Sequence, residues 1–188
     1  IVSHLPLGGS VIYRLNLLSA IETMAAVIVM YYSVVLLLNY VFSKLSVTAN
    51  KKTHTKNAKK GEASHTQPQV KKSAGDLAGL IYLLSFISAV LFGLTKTVWY
   101  DATQIEVYAL HSLFISLIVF YSLKILTGLK EPSKKNWMLL MLITGLSAAN
   151  HSTTVYFIPA FAYMIYLQYK SDSAYTKKLI PYAALVIP

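Results

Sequence analysis

An all-helical, multispanning integral membrane bundle is the fold that the sequence predicts, and three observations carry it. The chain is 55% hydrophobic and only 13% charged, about half the roughly 25% charge of a soluble domain. Its apolar residues gather in long runs, giving a mean hydropathy of +0.53, more apolar surface than a soluble domain of this length can hide. Fifteen of the 17 Lys and Arg residues then fall between those runs, in Lys44 to Lys72, Lys124 to Lys135 and Lys170 to Lys178. That is the pattern of cytoplasmic loops under the positive-inside rule. The net charge of +10 would otherwise point to nucleic acid, but its confinement to loops between apolar runs argues for a bilayer as partner and against nucleic acid.

The elements follow in order. Residues 1–43 read as an outer loop and a first membrane helix, whose clearest part, Leu17 to Phe42, is 26 residues long with Glu22 as its one charge. At about 1.5 Å per residue it spans roughly 39 Å, enough to cross a ~30 Å hydrocarbon core with tilt. Residues 44–76 hold eight Lys and two His among Ser, Thr and Asn, too polar to bury a core, and read as a disordered cytoplasmic linker. Residues 77–188 read as a helical membrane region. Within it, Leu77 to Thr95 and Val107 to Leu126 predict a helical hairpin, with the polar stretch Lys96 to Glu106 at its tip. The segment Gly128 to Asn136, with Gly, Pro and three Lys, returns the chain to the cytoplasmic side. Trp137 to Ala149 and Val155 to Tyr169 flank the polar stretch Asn150 to Thr154, and read either as two short spans or as a re-entrant pair. Leu179 to Pro188 starts another segment. The expectation is thus about five membrane segments, plus the start of one more. Beginning at Ile1 and ending inside an apolar run, the chain reads as a fragment of a longer protein. No signal peptide is visible at its start, and the absence of cysteine excludes disulfides and thiolate metal sites within it.

This topology places residues 1–16, about 96–106 and about 150–154 on one lysine-poor face. There the sequence offers Arg14, Lys96, Trp99, Asp101, Gln104, Glu106, Asn150 and His151. Ionisable groups near membrane depth are costly, so a convergent set is a candidate site. Each also has an ordinary structural reading. Glu106, like Glu22, gains a little from a helix N-terminus. Asp101 followed by Thr103 suits a cap or turn, Asn150 and His151 suit an interhelical turn, and Trp99 with Tyr100 suits an interfacial aromatic belt. The five His residues are scattered along the chain and predict no metal site. No Gly-rich phosphate loop is present, and no cofactor is expected.

Three blocks carry a resemblance. The first is Leu5-Pro6-Leu7-Gly8 with Tyr13 to Ala20. The second is Val98 to Leu110 continuing through Ser112-Leu113-Phe114, similar to the pattern FWxxATxAEVYALNxLF. The third is Gly145 to Thr153, similar to GLSLGNHLT. In this order they resemble a family of membrane glycosyltransferases whose eukaryotic member is the endoplasmic-reticulum O-mannosyltransferase of plexin-type receptor domains. The resemblance implies a GT-C-like helical architecture with its site facing the lumen or periplasm. It also implies a polyprenyl-phosphate-linked sugar as donor and a hydroxyl acceptor, such as a protein Ser or Thr. In such enzymes a carboxylate takes the acceptor's proton and cationic or hydrogen-bonding groups hold the departing phosphate. Carried onto this sequence, Glu106 is the catalytic carboxylate, and Arg14, Trp99, Gln104, Asn150 and His151 bind substrate. The family's acidic first-loop motif does not occur in the chain and would lie upstream of Ile1, so the main catalytic base is expected there. Asp101 stands where the family carries an uncharged residue.

Two other readings use the same residues: a transporter or flippase for a lipid-linked or anionic solute, and a scaffold whose lysine linker binds anionic lipid. The bacterial inner membrane and the endoplasmic-reticulum membrane both suit the composition.

Overall fold

The computed structural model describes residues 10–57, 74–103, 108–129, 133–179 and 181–182. Among them every regular element is helical: α1 Val11–Asn57, α2 Ala74–Gly93, α3 Lys96–Thr103, α4 Tyr108–Thr127, α5 Lys134–Asn150, a 3-10 turn Ser152–Phe157, α6 Ile158–Ser171 and α7 Ser173–Lys177. Ser10 starts α1, its Oγ accepting from the Tyr13 N–H at 3.2 Å, one of the four amides a helix start leaves unpaired. Gly128 ends α4, its N–H donating to the carbonyls of Lys124 and Ile125.

Three helices are long and apolar enough to cross a membrane: Val11–Ser46, Gly75–Gly93 and Tyr108–Thr127. The expectation of about five segments is therefore met in part. Its last two segments do form helices, but α5 has 17 residues and α6 has 14, fewer than the ~20 that a span needs. Helix, 3-10 turn and helix in succession fit both the two-span and the re-entrant reading. The further segment expected from Leu179 lies mostly outside the described residues, as do residues 58–73 of the predicted linker.

Two boundaries differ from expectation. The chain remains helical to Asn57, well past Phe42, because Lys44 to Asn57 contains neither Gly nor Pro and lysine propagates a helix readily. The predicted hairpin tip also folds into helix α3. Its start is set by Thr95, whose carbonyl accepts from the Trp99 N–H at 3.0 Å, and its buried residues Val98 and Asp101 stand three apart on one face.

Short connections after α2 and α4 turn the chain back on itself, and α1 packs along α2, α3 and α4, so one end of the bundle gathers the start of α1, all of α3, the start of α4 and the end of α5. Helix α1 packs against both α2 and α4, α5 packs on the far side of α4, and α3 rests on α1 and α4. The seams are built from small residues. Ser19, Thr23, Ala26 and Ser33 of α1, Ser85 and Ala89 of α2, and Ala109 and Ser116 of α4 are all buried. Small side chains let helix backbones approach closely where lipid supplies no hydrophobic drive for association. The serine hydroxyls are satisfied within their own helices: Ser33 donates to the Val29 carbonyl at 2.8 Å, Ser85 to Ile81 at 2.8 Å and Ser116 to Ser112 at 2.9 Å, whereas the Thr23 hydroxyl is buried without a partner. At Gly93 even a methyl group would press on Val27 Cγ2 at 3.2 Å. Large apolar side chains such as Leu83, Phe86 and Leu91 point outward instead, as lipid-facing residues do. A second cluster, Ile118, Ile125, Trp137, Leu140, Met141 and Met164, ties α4 to α5 and α6.

Candidate functional site

At the lysine-poor end, helix α4 presents two consecutive residues, His111 and Ser112, about 100° apart around its axis. They reach different partners. Ser112 Oγ donates to Asp101 Oδ2 of α3 at 2.9 Å, which gives the buried Asp101 carboxylate a bond to α4. His111 is also buried and reaches the turn after α5, where its Nε2 lies 2.7 Å from Thr153 Oγ1. His151 meets the same hydroxyl with its Nδ1 at 2.9 Å. The two imidazole rings lie 4.7 Å apart, inclined by 31°, and Tyr108 stands 5.4 Å from His151 on another side.

The proton positions in this row follow from one backbone bond. The Thr153 N–H donates to His151 Nδ1 at 3.3 Å, so that nitrogen is an acceptor and the ring's own proton sits on Nε2. The Thr153 hydroxyl therefore gives its single proton to His151 Nδ1 and accepts from His111 Nε2–H. The result is a directed row: His111 Nε2–H, Thr153 O–H, His151 Nδ1, with His151 Nε2–H as its terminal donor. His111 Nδ1, at the opposite end, is buried without a hydrogen-bond partner.

The turn itself is held by ordinary means. The His151 N–H donates back to Ser147 at 2.8 Å and ends α5, and His151 then caps the 3-10 turn. Thr154 Oγ1 donates to the His151 carbonyl at 3.0 Å and lies 2.7 Å from Ser147 Oγ, so α5 and the turn are tied on both sides of His151. Pro159 sits in the first turn of α6, where its missing N–H costs nothing.

The residues expected from the sequence are placed as follows. His151 stands at the centre of the site, and Asn150, half-buried, ends α5 beside it. Arg14 is half-buried in the first turn of α1 at the same end. Trp99 is 62% exposed and lies about 200° around α3 from Asp101, facing away from the Asp101–Ser112 contact. Gln104 and Glu106 fall between Thr103 and Tyr108, outside the described residues. The sequence reading had not singled out His111, Ser112 or Thr153. Forty residues separate His111 from His151, and only the folded chain brings them together. Among the described residues no three His, Asp or Glu side chains converge as a metal-binding group.

Helices long and apolar enough to cross a membrane, with a compact polar cluster at one end of the bundle, define the class of all-helical, membrane-associated proteins. Within that class the chain belongs to the family described as "Protein O-mannosyl-transferase TMEM260 N-terminal domain", which it matches over residues 1–174. The resemblance carried by the three sequence blocks is thereby established at the level of family, and with it the glycosyltransferase class. No curated protein and no solved structure gives a significant match to the chain.

Proposed function

We propose that the chain forms part of a GT-C-type membrane mannosyltransferase, with its site on the lumenal or periplasmic side of the endoplasmic-reticulum or bacterial inner membrane. The donor is a polyprenyl-phosphate-linked hexose, mannose by the family's description, and the acceptor is a hydroxyl, such as a protein Ser or Thr. A carboxylate takes the proton from the acceptor hydroxyl as its oxygen bonds to the anomeric carbon. The bond from that carbon to the phosphate oxygen breaks, and its electron pair departs with the phosphate. Glu106 is the carboxylate we assign to this step within the chain, with the main base expected in the family's acidic first-loop motif. Arg14 holds the phosphate, since a guanidinium grips two of its oxygens at once. Trp99, Gln104 and Asn150 complete the substrate contacts, Trp99 offering an exposed ring face.

The observation that carries this reading is the row ending in His151 Nε2–H. An orienting hydroxyl on Nδ1 holds the imidazole in place and leaves Nε2–H on the far side of the ring, which suits a donor of hydrogen bonds to a sugar or phosphate oxygen. That row lies within the family match, with His151 and Thr153 in the third of the blocks that carry the resemblance. The test is sugar transfer from radiolabelled polyprenyl-phosphate mannose in membranes bearing the full-length protein. Glu106→Gln and Arg14→Ala are each expected to lower transfer about a hundredfold at unchanged protein level. Transfer at wild-type rates in both would remove these two residues from the site.

A further inference from the structure

A polar cavity lies at the opposite, lysine-rich end of the bundle, far along α4 from His111. Its volume is about 80 Å³, and it is lined by Lys124, Ile125, Gly128, Ser133, Asn136, Trp137 and Gln168. Two of these carry buried polar atoms that the fold leaves unsatisfied. Gln168 is 0% exposed, and neither its Nε2 nor its Oε1 has a hydrogen-bond partner. Trp137 is 1% exposed, and its indole Nε1 is likewise unpartnered. Leaving three such atoms dry is costly, so something polar belongs beside them.

The lining chooses the sign of that occupant. Among the described lining residues none is a carboxylate, whereas the Lys124 ammonium, the indole N–H, two side-chain amides and the Ser133 hydroxyl all offer protons. Helix α5 starts at this wall. Its N-cap Ser133 makes no side-chain cap bond, and its first turn contains no acidic residue, so the amides at the helix start and the positive end of its dipole remain available to an anion. Lys124 is exposed and held at the rim, its Nζ 5.2 Å from the ring centre of Phe120 and 5.9 Å from that of Tyr121. A single water needs roughly 10–15 Å³ of such space, so the cavity has room for a tetrahedral oxyanion.

We infer that this cavity binds a phosphate group, and that in the membrane the phosphate is the headgroup of an anionic phospholipid. The depth favours a lipid source: the cavity opens where the candidate span Tyr108–Thr127 ends, at headgroup level, with exposed Lys134, Lys135 and Lys170 around it to attract an anionic leaflet. The site is separate from the sugar-transfer reading and does not depend on it.

The experiment uses the full-length protein in neutral detergent and three probes: radiolabelled short-chain phosphatidic acid, inorganic phosphate, and a diacylglycerol with the same acyl chains. Phosphatidic acid is expected to bind saturably and the diacylglycerol not to bind. Gln168→Leu and Lys124→Met are each expected to weaken phosphatidic acid binding about tenfold. Because Gln168 is buried, Lys124→Met and Trp137→Phe provide the result should Gln168→Leu fail to fold. Inorganic phosphate that binds as tightly as the lipid, with the same loss in the variants, supports the phosphate site and names a soluble source. Absence of saturable binding by both phosphate probes, or undiminished binding in the variants that fold, overturns the inference.

Discussion

Thr153 matters at the scale of single residues because a hydroxyl has one proton to give. With His151 Nδ1 already accepting from the backbone, that proton must go to His151, and His111 must donate. Sequence reading could name His151 and Asn150, which lie in a block with a family resemblance, but it passed over His111. The resembling pattern carries Asn at that place, and a lone imidazole on an apolar helix has no visible partner until the fold supplies one 42 positions along the chain. Asp101 was visible as a charge, yet its partner was not, since Ser112 looks like any small residue of a membrane helix. Asp101→Leu should leave Ser112 Oγ without its acceptor and lower stability by about 1–3 kcal/mol, whereas Asp101→Asn keeps an acceptor oxygen and should cost less. Thermal unfolding of the two variants in detergent distinguishes them, and equal losses would mean that the Ser112 bond contributes nothing.

The elements were the most legible level. Long apolar runs broken by lysine-rich loops predicted helices at the places where α1, α2 and α4 stand. One feature escaped for a physical reason. Helix ends depend on breakers and caps as much as on polarity, so the lysines after Phe42, which signal a loop by charge, continue a helix that meets no Gly or Pro. The polar turn at Asn150 to Thr154 was legible, and it divides the last stretch into helices shorter than a bilayer is thick, which leaves three candidate spans among the described residues. The seam between α1 and α4 gives a test at this scale. Ser116 is 1% exposed in that packing region, so Ser116→Leu should overpack it and cost about 1–3 kcal/mol. Ser33→Ala should stay within about 1 kcal/mol, because that hydroxyl bonds only to its own helix. Paired measurements of thermal stability would show whether the small residues act as spacers or as hydrogen-bonding groups; a large loss for Ser33→Ala with none for Ser116→Leu would refute the spacer role.

For the whole molecule, the separation of its two ends organises everything else. Lysines and the donor-lined cavity lie at one end, while the His111–Thr153–His151 row and the Asp101–Ser112 pair lie at the other. The positive-inside pattern showed this polarity in the sequence, and the short helical connections preserve it in the fold. Because the chain contains no cysteine, the polarity is open to direct labelling. Ser152→Cys and Ser171→Cys both replace exposed residues and should react with a membrane-impermeant maleimide from opposite sides of a sealed membrane. Labelling of both from the same side would contradict the alternation of helices.

The central claim is that residues from separate parts of the chain make one working site at the lysine-poor end, and the Thr153 hydroxyl is where that claim is most exposed. The measurement is transfer of radiolabelled mannose from polyprenyl phosphate by the full-length protein carrying Thr153→Val or Thr153→Ser. Valine keeps the shape but removes the hydroxyl that orients both imidazoles, so transfer should fall by about tenfold to a hundredfold, and serine should restore most of it. Wild-type transfer with valine would show that the row is only structural, and no transfer from any lipid-linked sugar, even by the wild type, would shift the reading to a transporter of a lipid-linked or anionic solute.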